Sequence, residues 1–211
     1  MIILAHRGLW RSKKDRNTPG SFKRAFGSGF GVETDIRDHK GELVISHDIP
    51  DDKCMKADVF FKLYRGINNQ APLALNIKAD GLNEKLKKLL VKYNINNYFV
   101  FDMSVPDALG YLKLGIKAYT RQSEYETVPS FYGAARGVWI DCFQKEWVTE
   151  AAITGHISKG KMVCLVSPEL HKREYLPFWR KLANMKIIND HRVMLCTDHP
   201  EEAGRFFNGE D

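Results

Sequence analysis

The chain has 211 residues, of which 44% are hydrophobic and 27% charged, and its formal net charge is +6. This composition is ordinary for a soluble globular protein, and the length suits one domain. No apolar stretch approaches the ~20 residues of a membrane span, and the basic residues lack the aromatic-rich clusters of nucleic-acid binders, so we expect no membrane span and no nucleic-acid partner.

The cysteines and the first residues favour a cytoplasmic location. The opening apolar run is only four residues long before it meets charged groups, so we expect no signal peptide. The four cysteines show no CxxC or zinc-type spacing. We therefore expect reduced thiols, as in a cytoplasmic protein.

The chain begins with a predicted buried strand. Ile2–Ala5 is a continuous apolar run, typical of a strand covered on both faces, and it ends in His6 and Arg7. Cationic side chains directly after such a strand are typical of the end of a parallel sheet or barrel where ligands bind. A helix should begin near Pro19, with Thr18 as its cap.

The next stretch places two carboxylates on one face of a strand. Val32–Ile36 alternates apolar and polar residues, so Glu33 and Asp35 point to the same side, about 7 Å apart. A parallel neighbour would need a long crossover, so Leu43–Ser46 should return as a hairpin and carry His47 towards the carboxylates. This group could bind a hard divalent cation and move a proton beside it. The structural alternative is an edge strand that carries charges for solubility.

Apolar runs and helical patterns alternate through the rest of the chain. The runs lie at Leu73–Ile77, Tyr98–Phe101, Ile116–Tyr119, Gly137–Ile140, Met162–Val166 and Val193–Cys196. The helical patterns lie at Ala57–Arg65, Leu82–Tyr93, Pro106–Leu114, Gln144–Lys159 and Glu169–Met185. Alternation of this kind indicates parallel βα units. We predict an α/β fold, a single-domain (β/α)8 TIM barrel over residues 1–211, with a hairpin excursion at residues 36–48 above the carboxyl face.

Polar residues follow several of these runs. In a barrel they would lie at the carboxyl face, where active sites are built. Lys78 and Arg121 are cations at such ends, and we interpret them as phosphate-binding groups. Asp102 and Asp198 are interpreted as helix caps.

Several motifs resemble those of the glycerophosphodiester phosphodiesterases and their phospholipase-C-like relatives. In order and spacing they are A-H-R-G at 5–8, N-T-x-x-S-F at 17–22, V-E-T-D at 32–35 and S-H-D at 46–48. A looser similarity continues in L-A-L-N-I-K at 73–78 and T-D-x-P-E-E-A at 197–203. The resemblance implies a (β/α)8 barrel, a divalent metal ion (Mg²⁺ or Ca²⁺) and hydrolysis of a phosphodiester.

The resemblance and the strand ends together predict a site of eight residues. The predicted metal ligands are Glu33, Asp35 and Asn76. The predicted acid–base pair is His6 and His47. The predicted phosphate-binding cations are Arg7, Lys78 and Arg121. Asn76 stands where the family usually has a glutamate, and its amide oxygen contributes no charge. The segment after S-H-D is shorter than the insertion that the family's enzymes usually carry there. That insertion helps to form the substrate pocket, so the substrate of this chain is an open question.

We predict an enzyme, a metal-dependent phosphodiesterase that hydrolyses a small glycerophosphodiester-like or sugar or polyol phosphodiester by histidine acid–base catalysis. Its nucleophile would be water or a neighbouring hydroxyl of the substrate, which would give a cyclic phosphate. Two alternatives stay open. One is a barrel that has lost catalysis and binds a phosphorylated metabolite, and the other is a metal-dependent lyase or aldolase that acts on a sugar phosphate.

Overall fold

The structure is a computed structural model, and it describes residues 1–67 and 70–209. Strands and helices alternate along the chain. The strands are β1 (Ile2–His6), β2 (Gly31–His39), β3 (Glu42–Ile45), β4 (Met55–Lys56), β5 (Leu73–Ile77), β6 (Tyr98–Phe101), β7 (Tyr119–Gln122), β8 (Gly137–Ile140), β9 (Met162–Val166) and β10 (Val193–Thr197). The α-helices are α1 (Pro19–Gly27), α2 (Ala57–Ile67), α3 (Asn83–Lys92), α4 (Val105–Lys113), α5 (Glu150–Ser158), α6 (Leu176–Ala183) and α7 (Pro200–Asn208).

The strands form one sheet in the order β4-β3-β2-β1-β10-β9-β8-β7, and β5 pairs with β2 and β6. The pairs β2–β5, β5–β6, β7–β8, β8–β9 and β9–β10 are parallel. The short strands β3 and β4 pair in antiparallel fashion, and Ile36 of β2 lies opposite Ile45 of β3. The parallel strands with intervening helices have the architecture of a (β/α)8 barrel, so the predicted fold class and hairpin are confirmed.

The chain forms two compact units. One comprises Ala5–Ala118, and the other comprises Met1–Leu4 with Tyr119–Asp211. Aromatic rings fill part of the first unit's core, where the ring centroids of Phe22 in α1 and Phe60 in α2 lie 4.7 Å apart. The prediction of a single domain stays a prediction.

In the second unit the largest fully buried side chain is Trp179 of α6. Its indole Nε1 donates a hydrogen bond of 2.8 Å to the Ser167 hydroxyl. A buried indole N–H without an acceptor would be costly, so this bond lets the ring fill the core without an unsatisfied donor.

One predicted strand was misplaced. Ile116–Tyr119 was predicted to be extended, but β7 is Tyr119–Gln122. Gly115 has φ of 68°, and the Ile116 N–H donates to the Tyr111 carbonyl at 3.0 Å. This is the left-handed end of α4, in which an apolar residue just past the glycine packs back on the helix. The apolar run therefore begins as a helix end and becomes extended only at Ala118, which forms a parallel bridge with Val100, and at Tyr119, the first residue of β7.

The helix predicted at Gln144–Lys159 is too long, because α5 begins only at Glu150. Thr149 caps it by accepting a hydrogen bond from the Ala152 N–H. Before that point the backbone N–H groups of Gln144 and Lys145 donate to the Glu124 carboxylate instead of entering a helix. A side chain distant in sequence thus determines where this helix begins.

The helix predicted at Glu169–Met185 is divided in two. A 3₁₀ helix, Pro168–His171, precedes α6. Lys172 between them adopts a left-handed φ of 60° and ends the first piece. Pro177 lies in the first turn of α6, where its missing N–H costs no hydrogen bond.

Within residues 1–67 and 70–209, the helices are all too short or too polar to cross a bilayer. All four cysteines are free, and Cys142, Cys164 and Cys196 are buried. The reduced state of these thiols stays a prediction.

The half-buried His156 of α5 makes stability depend on pH. Because Gln122 Oε1 can only accept, His156 Nε2 carries the hydrogen of their 2.8 Å bond, and Nδ1 accepts from the Tyr132 hydroxyl at 2.8 Å. Burial, with a smaller effect of the Lys159 charge, lowers the pKa of His156. The neutral ring is therefore the form that the fold stabilises.

We expect the free energy of unfolding to fall as the pH drops below about 6.5, the ordinary histidine pKa, because the unfolded chain then binds the proton more readily. His156→Gln removes the titrating group, so the variant lacks this pH dependence. The difference in the free energy of unfolding between wild type and variant should therefore become smaller from pH 8 to pH 5. Urea unfolding at several pH values measures it. A difference that is constant across this range would contradict the assignment.

Candidate active site

The loop after β1 is fixed by its backbone. The Arg7 N–H donates to the Glu33 carbonyl at 2.9 Å, and the Asn17 N–H donates to the Arg7 carbonyl at 3.0 Å. Arg7 and Gly8 both have positive φ, 58° and 86°. A Cβ on Gly8 would lie 2.6 Å from the Ser21 hydroxyl oxygen, so this tight turn requires glycine. The turn sets the position at which the Arg7 side chain leaves the backbone.

Parallel pairing of β2 with β5 brings the predicted metal ligands together. Asp35 lies directly opposite Asn76 in the register, and Glu33 lies two residues earlier on the same face of β2. Neighbouring strands are about 4.8 Å apart, so these side chains share one small region. All three are buried, with exposed fractions of 2% for Glu33, 1% for Asp35 and 7% for Asn76.

Each of these three side chains has a buried oxygen without a hydrogen-bond partner. The atoms are Glu33 Oε2, Asp35 Oδ1 and Asn76 Oδ1. Buried polar atoms are nearly always satisfied, and an ion is one explanation for such exceptions. Three hard oxygens, two of them from carboxylates, fit Mg²⁺ or Ca²⁺. Among the described residues no three His, Cys, Asp or Glu side chains form a metal-binding group, so the amide of Asn76 is an integral part of this set.

The second oxygen of Asp35 is held by neighbours. Asp35 Oδ2 lies 3.2 Å from Arg7 Nε and accepts a hydrogen bond of 3.0 Å from Asn17 Nδ2. Asn17 is oriented in turn by the Thr34 hydroxyl, which donates to its Oδ1 at 2.8 Å. The carboxylate is therefore turned so that Oδ1 is left for another partner. Sequence reasoning missed this role of Asn17, although its place in the N-T-x-x-S-F motif was a signal.

The electrostatics of Glu33 reflect its burial. Desolvation, reinforced by the adjacent Asp35 charge, raises the pKa of Glu33 to about 8, while the charges of Arg7 and Lys78 act in the opposite direction. Two buried carboxylates this close repel one another and lose their hydration. A bound cation would supply the positive charge that this pair lacks.

The two predicted acid–base histidines have different surroundings. His6 ends β1, and its Nε2 lies 3.8 Å from Glu33 Oε2. His47 is 43% exposed, and its Nδ1 lies 2.8 Å from the Asp48 carboxylate. Since a carboxylate can only accept, Nδ1 carries the hydrogen and Nε2 of the neutral ring is left as an acceptor. That is the tautomer which a general base requires.

The predicted phosphate-binding cations fall in both units. Lys78 Nζ lies 3.7 Å from Asp35 Oδ1 and 3.9 Å from Asp102 Oδ2. Arg121 belongs to the second unit, where its Nε donates to Glu126, and its phosphate contact stays a prediction.

The prediction that Asp102 and Asp198 cap helices is wrong. Ser104 caps α4 by accepting a hydrogen bond from the Asp107 N–H, and α7 has His199 at its N-cap without a side-chain cap bond. Asp102 instead adopts a left-handed φ of 67° beside Lys78.

Comparison with solved structures shows the same fold. The chain is similar to a protein of Galdieria sulphuraria described as a candidate glycerophosphodiester phosphodiesterase, with 18% identity and a TM-score of 0.80 over 98% of this chain and 97% of that one. It is also similar to an Oleispira antarctica phosphodiesterase in complex with its product sn-glycerol-3-phosphate, with 15% identity and a TM-score of 0.67 over 99% and 97% of the two chains.

A third similar structure is a Ca²⁺-dependent phosphatidylinositol-specific phospholipase C from Streptomyces antibioticus, with 10% identity and a TM-score of 0.59 over 98% and 95% of the chains. No protein-family model matches the sequence. No curated protein matches it significantly. At these identities the comparison confirms the barrel fold, and it agrees with the resemblance carried by the motifs.

Removing a proposed ligand should abolish metal binding. Asp35→Asn replaces a charged oxygen by an amide, and we expect the affinity for Mg²⁺ or Ca²⁺ to fall at least about 100-fold, since even residues behind the ligands are worth 10–100-fold. Titration calorimetry measures the change. Asp38→Asn is the matched control, because Asp38 lies exposed on the same strand. Equal affinities in the two variants would contradict this ligand set.

Gly8→Ala should destabilise the loop after β1. We expect a loss of at least about 1–3 kcal/mol in the free energy of unfolding, from the positive φ alone, and more from the contact with Ser21. Gly27→Ala in α1 is the control, because its Cβ would meet no atom within 4 Å. Denaturant unfolding compares them, and a Gly8→Ala protein as stable as the control would show that the turn relaxes freely.

Proposed function

We propose that this protein is a metal-dependent phosphodiesterase that hydrolyses glycerophosphodiester-like or sugar or polyol phosphodiesters. The observation that carries the proposal is the set of three buried oxygens without hydrogen-bond partners on Glu33, Asp35 and Asn76. Two cationic side chains, Arg7 and Lys78, lie against the same carboxylates. A cation site lined by further positive charge suits a phosphate ester, which carries negative charge on its non-bridging oxygens.

The comparisons support the choice of reaction. Structures of the same fold include a phosphodiesterase that holds sn-glycerol-3-phosphate as its product. A fold hosts many chemistries, so the reaction is argued from the residues of the site and not from the fold alone. Those residues belong to the A-H-R-G, V-E-T-D and S-H-D motifs and to the L-A-L-N-I-K segment.

In this mechanism Glu33, Asp35 and Asn76 would hold the metal. A bound divalent cation would neutralise a phosphate oxygen and lower the pKa of a hydroxyl or water. Arg7 would hold a remaining phosphate oxygen, and Lys78 would stabilise negative charge that develops at phosphorus. Asn17 donates a hydrogen bond to Asp35 Oδ2, which would leave Oδ1 available to a cation.

The two imidazoles handle the protons. One of His6 and His47 accepts the proton of the nucleophile as its oxygen bonds to phosphorus, and the other donates a proton to the alkoxide as the phosphorus–oxygen bond breaks. With water as nucleophile the products are a phosphate monoester and an alcohol. Asp48 contributes by fixing the tautomer of His47.

Asn76 favours one alternative. A site with two carboxylates and an amide carries one negative charge fewer than the family's usual set, which weakens attraction for a divalent ion. The same residues could then bind a phosphorylated metabolite without turning it over. This alternative predicts binding of glycerol 3-phosphate by calorimetry with no hydrolysis under any metal.

We further propose a cytoplasmic location. The support is the set of four free cysteines, three of them buried, because oxidising compartments favour disulfides in small proteins.

Replacement of either histidine should abolish turnover while metal binding persists. We expect His6→Ala and His47→Ala each to lower kcat by about 10²–10⁴-fold, the usual worth of general acid–base catalysis. The assay uses glycerophosphodiesters and bis(p-nitrophenyl) phosphate with EDTA, Mg²⁺ or Ca²⁺, and ³¹P NMR distinguishes a monoester from a cyclic phosphate.

His191→Ala is the matched control, since His191 is 88% exposed. Full activity of His47→Ala would overturn the two-histidine scheme. Activity that EDTA leaves unchanged would overturn the metal dependence. Absence of turnover by the folded wild type, with glycerol 3-phosphate still bound, would favour the binding protein.

A further inference from the structure

A cavity of about 440 Å³ lies in the first unit and shares Arg7 and His47 with the candidate active site. We call it the basic pocket. Its lining residues are Arg7, Lys13, Arg16, Asn17, Thr18, Pro19, Ile45, Ser46, His47, Asp48, Asp51, Lys53, Cys54 and Met55. The volume is in the range that accommodates a small ligand.

Two lysines of the basic pocket have no acidic partner. Among residues 1–67 and 70–209, no carboxylate oxygen lies within 4.0 Å of the amine of Lys13 or Lys53. The two acidic residues of the lining have hydrogen-bond partners of their own, and the Asp51 charge acts on Lys53 only from beyond ion-pair distance. Asp48 pairs with His47 at 2.8 Å, and Asp51 Oδ1 accepts the Lys53 backbone N–H at 2.9 Å. The lysine charges are therefore available to a ligand.

A second lysine-lined cavity in the same unit provides an internal comparison. Its volume is about 420 Å³, and two of its four lysines pair with carboxylates. Lys56 pairs with Glu42 at 2.8 Å, and Lys92 pairs with Asp58 at 2.5 Å. Within the described part of the chain, lysines without a carboxylate partner thus occur at both cavities, and the basic pocket differs from the second cavity because it shares Arg7 and His47 with the candidate active site.

The position of the basic pocket relates it to the substrate. Arg7 would hold a phosphate oxygen. His47 would exchange a proton with either the attacking oxygen or the oxygen of the leaving alcohol. An alcohol attached to the phosphate between these two residues would extend into the basic pocket. There it would meet Lys13 and Lys53, together with the positive end of α1 at Thr18 and Pro19.

We propose that the basic pocket selects phosphodiesters whose alcohol carries a second anionic group, a carboxylate or a phosphate. The inference rests on the proposed function and deepens it by naming the substrate class. Lys13 and Lys53 bind the added group and determine specificity, while hydrolysis itself depends on the site at β2 and β5. Neutral alcohols make no use of these charges.

Two matched pairs of substrates test the proposal. Glycerophosphoserine differs from glycerophosphoethanolamine by a carboxylate, and glycerophosphoglycerol phosphate differs from glycerophosphoglycerol by a phosphate. We expect kcat/KM to be at least about 10-fold higher for the more anionic member of at least one pair, as charge-assisted contacts of two lysines imply. The pair that shows the larger ratio identifies the anionic group.

The double variant Lys13→Gln/Lys53→Gln should reduce this ratio to about one. Lys62→Gln/Lys88→Gln is the matched control, because it removes the same charge from exposed positions on α2 and α3. The control should keep the wild-type ratio. A ratio near one in the wild type, or an equal fall in both double variants, would overturn the proposal, the latter because it would show an effect of net charge alone.

Binding measured in a His6→Ala background separates this proposal from the proposed function. Calorimetry with the same substrates should show the more anionic member bound at least about 10-fold more tightly, and the Lys13→Gln/Lys53→Gln changes should remove the preference. If the wild type hydrolyses none of the substrates, the proposed function fails. The binding measurement still decides whether the basic pocket prefers ligands with a second anionic group. If the wild type hydrolyses both members of each pair equally, the proposed specificity of the basic pocket fails and the proposed function stands.

Discussion

Two carboxylates buried side by side on β2 are the constraint on which the rest of the site depends. Glu33 and Asp35 are almost inaccessible, and removing two like charges from water is costly unless other groups compensate. The chain places Arg7, Lys78 and Asn17 around them. These contacts still leave one oxygen on each carboxylate unsatisfied, which is the arrangement expected of a site that holds a cation.

The barrel architecture makes this arrangement rigid. The ligands stand on paired strands, where the register between Asp35 and Asn76 is set by main-chain hydrogen bonds. The loop that carries Arg7 is tied to the Glu33 carbonyl, and the hairpin is tied to β2 by the Ser46 N–H, which donates to the Asp35 carbonyl at 3.1 Å. Backbone bonds thus position each of these side chains, and a site built on strands loses little precision to side-chain motion.

The division of labour within the first unit follows from burial. The groups that would hold the metal are buried and oriented by neighbours, whereas His47, Lys13 and Lys53 are exposed or half-exposed. Buried groups keep a fixed geometry for the reacting phosphate, and exposed groups are free to meet a ligand that arrives from solvent. In the proposed function, metal binding and the choice of alcohol would therefore depend on different residues.

Local sequence was sufficient for most of the strands, the hairpin and most of the candidate site, because apolar periodicity and short motifs encode which face of an element is buried. The shared face of Glu33 and Asp35 and the strand at Leu73–Ile77 could be predicted for this reason. Partners distant in sequence were decided only by the tertiary structure. The hydrogen bond from Asn17 to Asp35 and the bond from the Gln144 N–H to Glu124 both depend on which side chains the fold brings close together. A local pattern does not contain that information.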